Sequence, residues 1–227
     1  MQNRMMNMPV VKQEVIDFMR KGQKQLTGPV GDLQKVANEN GVPVIPHETV
    51  VFMQFLLGQL KPKNILEIGT AIGFSASLMN EFVGDDGHVT TIDRFDVMIE
   101  KAKANFDKQG ITDKVTLLEG QAADILPTLE GPYDFIFMDS AKSKYIEFLP
   151  DCLRVLKTGG VIMIDDVLQG GTIFQPIEEI HRSQRAIHRK LNELFDRVMA
   201  SPDLTASLVP LGDGVLLITK DNEKVSL

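Results

Sequence analysis

The sequence has no tryptophan, two tyrosines and one cysteine among its 227 residues. A lone cysteine closes no internal disulfide, and Cys152, set in a helical pattern, reads as a small buried hydrophobe rather than a nucleophile. No uninterrupted apolar stretch reaches the roughly 18 residues that a membrane helix needs. The first twenty residues interrupt their apolar positions with Lys12, Glu14 and Asp17, which leaves no signal-peptide core, and a cytoplasmic protein is expected. A basic excess is lacking too. The formal charge of −7 argues against wholesale coating by nucleic acid, because phosphate contacts need a basic face.

What is present is a core. With 43% hydrophobic and 24% charged residues the chain has the make-up of a globular protein, and its length suggests one domain with a small appendage. Residues 12–25 and 31–40 read as polar-rich helices set off by Gly41-Val-Pro43 and Pro46, so residues 1–45 are expected to form an N-terminal helical extension and 46–227 the main domain. Residues 48–60 read as an apolar helix. Strand and helix patterns then alternate: strands at 64–68, 88–93, 114–118, 133–139 and 160–165, with helices at 74–83, 96–109, 121–129, 145–156 and 176–200. Such alternation requires right-handed crossovers and a parallel sheet with helices on both faces. The end breaks the pattern. Residues 204–209 and 215–219, joined by Pro210-Leu-Gly212-Asp213-Gly214, read as a hairpin that closes the sheet with antiparallel strands.

The most informative stretch is Asn64-Ile-Leu-Glu67-Ile-Gly69-Thr-Ala-Ile-Gly73-Phe-Ser75-Ala76, a buried strand that ends in a glycine-rich turn opening a helix. In a parallel α/β sheet the crevice beyond that strand end receives ligands, and glycine lets backbone approach them closely. The spacing of Gly69 and Gly73 matches neither G-x-G-x-x-G nor a P-loop, so the ligand expected is one without a pyrophosphate. A second strand ends at Asp93, 24 residues after Gly69, where a carboxylate is placed to accept hydrogen bonds from ribose hydroxyls. The pair resembles the class I S-adenosylmethionine (SAM) dependent methyltransferases. The resemblance implies a Rossmann-like, seven-stranded, mostly parallel sheet with helices on both faces.

Two further strands end in acids, Tyr133-Asp-Phe-Ile-Phe-Met-Asp139 and Gly160-Val-Ile-Met-Ile-Asp165-Asp166. Three carboxylates at adjacent strand ends would repel one another unless a cation neutralised them, and hard oxygen donors without nearby Cys or His favour Mg²⁺, Mn²⁺ or Ca²⁺. Asp139-Ser-Ala-Lys142-Ser-Lys-Tyr145 together with Asp165-Asp166-Val-Leu resembles the metal-dependent O-methyltransferases of the catechol and caffeoyl-CoA type, from about Val42 to Lys220. That likeness implies Asp139, Asp165 and Asp166 as metal ligands, Lys142 as general base and Asp139 beside it. Glu67, Gly69, Gly73, Ser75, Asp93, Ala122 and Asp139 fall on cofactor-contacting positions. Asp166 departs from the family's usual Asn and adds a negative charge.

The acceptor is less explicit. Catechols, caffeoyl thioesters and 5-hydroxyuridine all present a hydroxyl beside a second oxygen. The stretch from Asp32 to Ile45, the basic segment 182–190 and the ending through Pro210-Leu-Gly-Asp-Gly214 are similar to the bacterial tRNA 5-hydroxyuridine methyltransferases, which implies the tRNA anticodon loop as partner. Arg182, Arg185 and Arg189, spaced for one helical face, would grip its phosphates, and Phe174 and Tyr145 would stack its base. A small hydroxylated aromatic is the alternative acceptor, and a SAM-binding module without chemistry a third reading. The family likeness and the apolar helix at 48–60 also imply a homodimer.

Overall fold

The structure, a computed structural model, describes residues 10–227; the first nine residues of the expected N-terminal extension lie outside the described residues. Seven strands form one sheet in the order β3-β2-β1-β4-β5-β7-β6: β1 (Asn64–Ile68), β2 (His88–Asp93), β3 (Val115–Glu119), β4 (Tyr133–Met138), β5 (Leu156–Ile164), β6 (Leu204–Val209) and β7 (Val215–Lys220). This is the mostly parallel, Rossmann-like sheet with an antiparallel C-terminal hairpin that the strand pattern predicts. Contacts divide the chain into two units, Gln13–Ile125 and Leu126–Leu227.

In the first unit β1 pairs in parallel with β2, and β2 with β3, in the register Ile68↔Ile92 and Asp93↔Glu119. Ile65, Leu66 and Ile68 are all buried, as expected for a strand covered on both faces, where apolar residues run on rather than alternate. Helices α1 (Gln13–Gly22), α2 (Gly28–Glu39), α3 (His47–Leu60), α4 (Phe74–Asn80), α5 (Asp96–Gln109) and the single turn α6 (Ala122–Ile125) complete the unit. The Arg20 guanidinium donates to both oxygens of buried Glu48 at 2.7 and 2.9 Å, which ties α1 to α3. The helix expected at 74–83 ends at Asn80, and that at 121–129 is only α6 followed by a 3-10 turn.

In the second unit β4 and β5 are parallel, while β7 runs antiparallel to both β5 and β6. Here α7 (Tyr145–Val155) and α8 (Arg185–Ala200) pack on one another. The long helix expected at 176–200 is shorter than its pattern. α8 starts only at Arg185, because the Arg185 guanidinium donates to the main-chain carbonyls of Ile180 (2.9 Å) and Glu178 (3.0 Å) and satisfies them outside a helix.

Candidate active site

In the first unit the β1 turn is built as its glycines require. Gly69 and Gly73 take φ of 107° and 81°, the left-handed region that favours glycine. A Cβ on Gly73 would sit 2.5 Å from the Phe106 ring, so packing against α5 demands glycine as strictly as ligand approach does. Gly73 caps α4, whose second residue is buried Ser75. Asp93, at the end of β2, accepts hydrogen bonds from main-chain N–H groups on both oxygens: Ala71 at 2.8 Å on Oδ2, and Arg94 and Phe95 at 2.7 and 3.0 Å on Oδ1. The carboxylate therefore fixes the glycine turn and keeps further lone pairs for a ligand hydroxyl. Glu67 stands on β1 just before the turn. It is fully buried, and its Oε2 accepts from Thr91 Oγ1 at 2.5 Å, while Thr91 and Thr70 share a 2.5 Å hydroxyl contact. Ala122 opens α6. Sequence reasoning missed Phe95, which is exposed directly after the Asp93 turn with the Arg94 guanidinium 4.6 Å over its ring.

In the second unit the acids follow β4 and β5. The Asp165 N–H donates to the carbonyl of Met138 at 3.0 Å, which sets Asp139 and Asp165 on neighbouring strand ends. Tyr145 is fully buried, its hydroxyl donating to the carbonyls of Ser140 (3.3 Å) and Asp165 (3.2 Å) and accepting from Ser140 N–H (3.2 Å). The base-stacking role implied for Tyr145 is thus corrected: the ring fastens the two acid-bearing segments together. Burial, then the charge of Asp166, pushes the Asp139 carboxyl up to about 7 against the pull of the Lys142 ammonium. Burial first, and then the charges of Asp166 and Asp139, raises Asp165 well above the usual carboxylate range.

Lys142, in the 3-10 turn Lys142–Lys144, places Nζ 3.1 Å from Asp166 Oδ2 and 3.4 Å from Asp213 Oδ2. The donor chemistry fits a hard divalent ion, since mutually repelling carboxyl oxygens are what such an ion relieves. Among the described residues, however, no group of three or more His, Cys, Asp or Glu side chains is gathered closely enough to form a ligand set. The cation that the structure sets against Asp166 is the Lys142 ammonium. Asp213 was legible in the sequence only as part of a turn.

The basic stripe is also redrawn. Arg182 lies in a 3-10 turn ahead of α8, Arg185 is engaged with main-chain carbonyls, and Lys190 and Arg197 both pair with Glu193. Arg189 remains on the exposed side of α8, lining with Phe174 an open groove of about 910 Å³. Phe174 is 70% exposed and is no core residue.

The sequence pattern of the O-methyltransferase family matches residues 30–221, most of the chain. The chain belongs to the O-methyltransferase family. Membership makes it an enzyme of the SAM-dependent O-methyltransferase class. It is 30% identical over 216 residues, 92% of each chain, to a Dictyostelium discoideum protein named probable caffeoyl-CoA O-methyltransferase 2. It is 35% identical over 123 residues to a catechol O-methyltransferase of Mycobacterium tuberculosis, covering 54% of this chain and 56% of that one. An SAH-bound methyltransferase of Podospora anserina has the same fold, with a TM-score of 0.81 and 25% identity over 93% of this chain and 97% of that chain. Among the described residues of this O-methyltransferase no helix is long and apolar enough to cross a membrane.

Proposed function

We propose that this O-methyltransferase moves the methyl group of SAM to the 5-hydroxyl of wobble uridine in tRNA, with a divalent ion, Mg²⁺ in the first instance, whose binding would draw together Asp139, Asp165 and Asp166, side chains that do not form a closed ligand set among the described residues. The observation that carries the chemistry is the placement of Asp139 and Asp165 on neighbouring strand ends, Asp165 N–H donating to the Met138 carbonyl at 3.0 Å, with Lys142 Nζ 3.1 Å from Asp166. Transfer forms an oxygen–methyl bond and breaks the methyl–sulfur bond, the electron pair going to sulfur. The hydroxyl proton must leave for oxygen to become a nucleophile, and Lys142, an ammonium in its ion pair with Asp166, must first release its own proton to solvent before its Nζ can receive that of the hydroxyl. A bound divalent ion supplies stabilisation of the resulting oxyanion. Gly69, Gly73, Ser75 and Ala122 border the donor, and Asp93 accepts from its ribose hydroxyls.

The tRNA reading is supported by the groove that exposed Phe174 and Arg189 both line, together with Glu193, Asp196 and Arg197: a stacking ring and a phosphate-seeking guanidinium in one groove suit an unstacked loop base. A second reading, a small catechol-like acceptor, is favoured by the names of the caffeoyl-CoA and catechol relatives. Labelled SAM offered with tRNA carrying 5-hydroxyuridine, and separately with catechol, each with Mg²⁺ or with EDTA, tests both. Label in tRNA that requires Mg²⁺ supports the proposal; label in catechol alone moves the acceptor to the second reading, and transfer undiminished by EDTA rejects the metal.

A further inference from the structure

Asp213 sits in the turn between β6 and β7, 4% exposed, and its two oxygens reach two segments far away in sequence. Its Oδ1 accepts from the Gly170 N–H at 2.6 Å, and its Oδ2 faces Lys142 Nζ at 3.4 Å. Main-chain bonds run in parallel: Leu168 N–H donates to the Asp213 carbonyl at 2.8 Å, and Val167 N–H to the Gly214 carbonyl at 3.1 Å. The approach is so close that a Cβ on Gly214 would lie 2.2 Å from Leu168 Cγ.

The segment held in this way is strained. Asp166 and Gln169 take φ of 60° and 50°, in the left-handed region that non-glycine residues avoid, and Gly170 and Gly171 follow at 63° and 79°. Such a backbone persists only where surrounding contacts over-determine it. From the β6–β7 turn, the Asp213 side chain joins the strained segment to Lys142.

We propose that Asp213 is a positioning residue: its carboxylate holds the Asp166–Gly171 segment in its left-handed path and, through its other oxygen, steadies the Lys142 ammonium beside Asp166. The significance of that for turnover rests on the reading of Lys142 and Asp166 as working groups; the clamp on the segment does not. The hairpin at the C-terminal end of the sheet thereby becomes part of the site.

Asp213→Asn and Asp213→Ala separate the two oxygens' tasks. The amide of Asn retains an acceptor for Gly170 N–H but removes the charge facing Lys142, whereas Ala removes both. Hydrogen exchange at the Gly170 amide, read against the core Ile162 amide, is expected to quicken about tenfold or more in the Ala variant while Ile162 stays protected, and to remain near wild type in the Asn variant. In the Asn variant, kcat for methyl transfer to tRNA carrying 5-hydroxyuridine, or to catechol, should fall about tenfold with KM for SAM unchanged, as loss of a charge-assisted contact predicts. Gly170 exchange unaltered in the Ala variant, or wild-type kcat in the Asn variant, overturns the proposal. If the wild-type enzyme transfers methyl to neither acceptor, the functional reading fails, and the exchange comparison still decides whether Asp213 holds the segment.

Discussion

Lys142 Nζ and Asp166 Oδ2 stand 3.1 Å apart, an ion pair between the proposed base and a proposed metal ligand. Asp166→Asn removes one anionic oxygen ligand and frees Lys142 from that partner. Fewer ligand charges weaken divalent binding, and the Mg²⁺ concentration for half-maximal transfer should rise about tenfold. A metal titration of activity checks this; an unchanged half-saturation point contradicts it.

The Asp93 carboxylate does two jobs in this account, fixing the glycine turn through Ala71 N–H at 2.8 Å and receiving the ribose. Asp93→Ala should loosen SAM binding about 10- to 100-fold, the usual loss when hydrogen bonds to a charged group disappear. Asp93→Asn, which keeps one acceptor oxygen, should lose less. Calorimetry measures both dissociation constants, and an unaltered value for the Ala variant refutes the ribose assignment.

Phe174→Ala distinguishes the two acceptors. Losing one base–aromatic stack removes about 1–3 kcal/mol, so KM for tRNA carrying 5-hydroxyuridine should rise roughly tenfold or more while transfer to catechol is spared. Arg189→Glu should act in the same direction and flatten the salt dependence of tRNA methylation. Equal loss on both acceptors would remove the groove from RNA recognition.

His88 supplies a pH test of stability away from the site. Burial, and then the Lys114 charge, lowers its pKa below the ordinary 6.5, and its Nε2 lies 2.7 Å from Thr116 Oγ1. The unfolded chain therefore binds a proton at a pH where the folded chain does not. The unfolded state then carries more protons, and stability rises with pH across that window: the full contribution is present above about pH 6.5 and is lost as pH falls through the folded value. His88→Gln should flatten the loss of unfolding free energy between pH 7 and 5 in urea melts. Parallel curves for variant and wild type contradict the assignment.

The strand ends were legible because apolar runs such as Tyr133–Met138 stop at a carboxylate, and both the glycine turn and the terminal hairpin follow from local chemistry. The start of α8 was not. Residues 177–184 are mostly polar residues with fair helix propensity, and what holds them outside the helix is a pair of local side-chain bonds from Arg185 to the carbonyls of Ile180 and Glu178, invisible to periodicity. Glu67 was readable as an acid beside the glycine turn, but its Thr91 partner was not, a pairing set by strand register. Asp213 shows the same limit: a Gly-Asp-Gly run announces a turn, while its partners Gly170 and Lys142 are 43 and 71 residues away.

The central claim is that acids on β4 and β5 hold a divalent ion needed for chemistry and not for donor binding. The direct measurement pairs S-adenosylhomocysteine affinity with methyl transfer in Asp165→Ala, with wild type in EDTA as its companion. The account predicts affinity within about twofold of wild type in both cases and transfer lowered by roughly 10³-fold or more, since a catalytic ion contributes several kcal/mol to the transition state. Transfer at the wild-type rate in either case contradicts it.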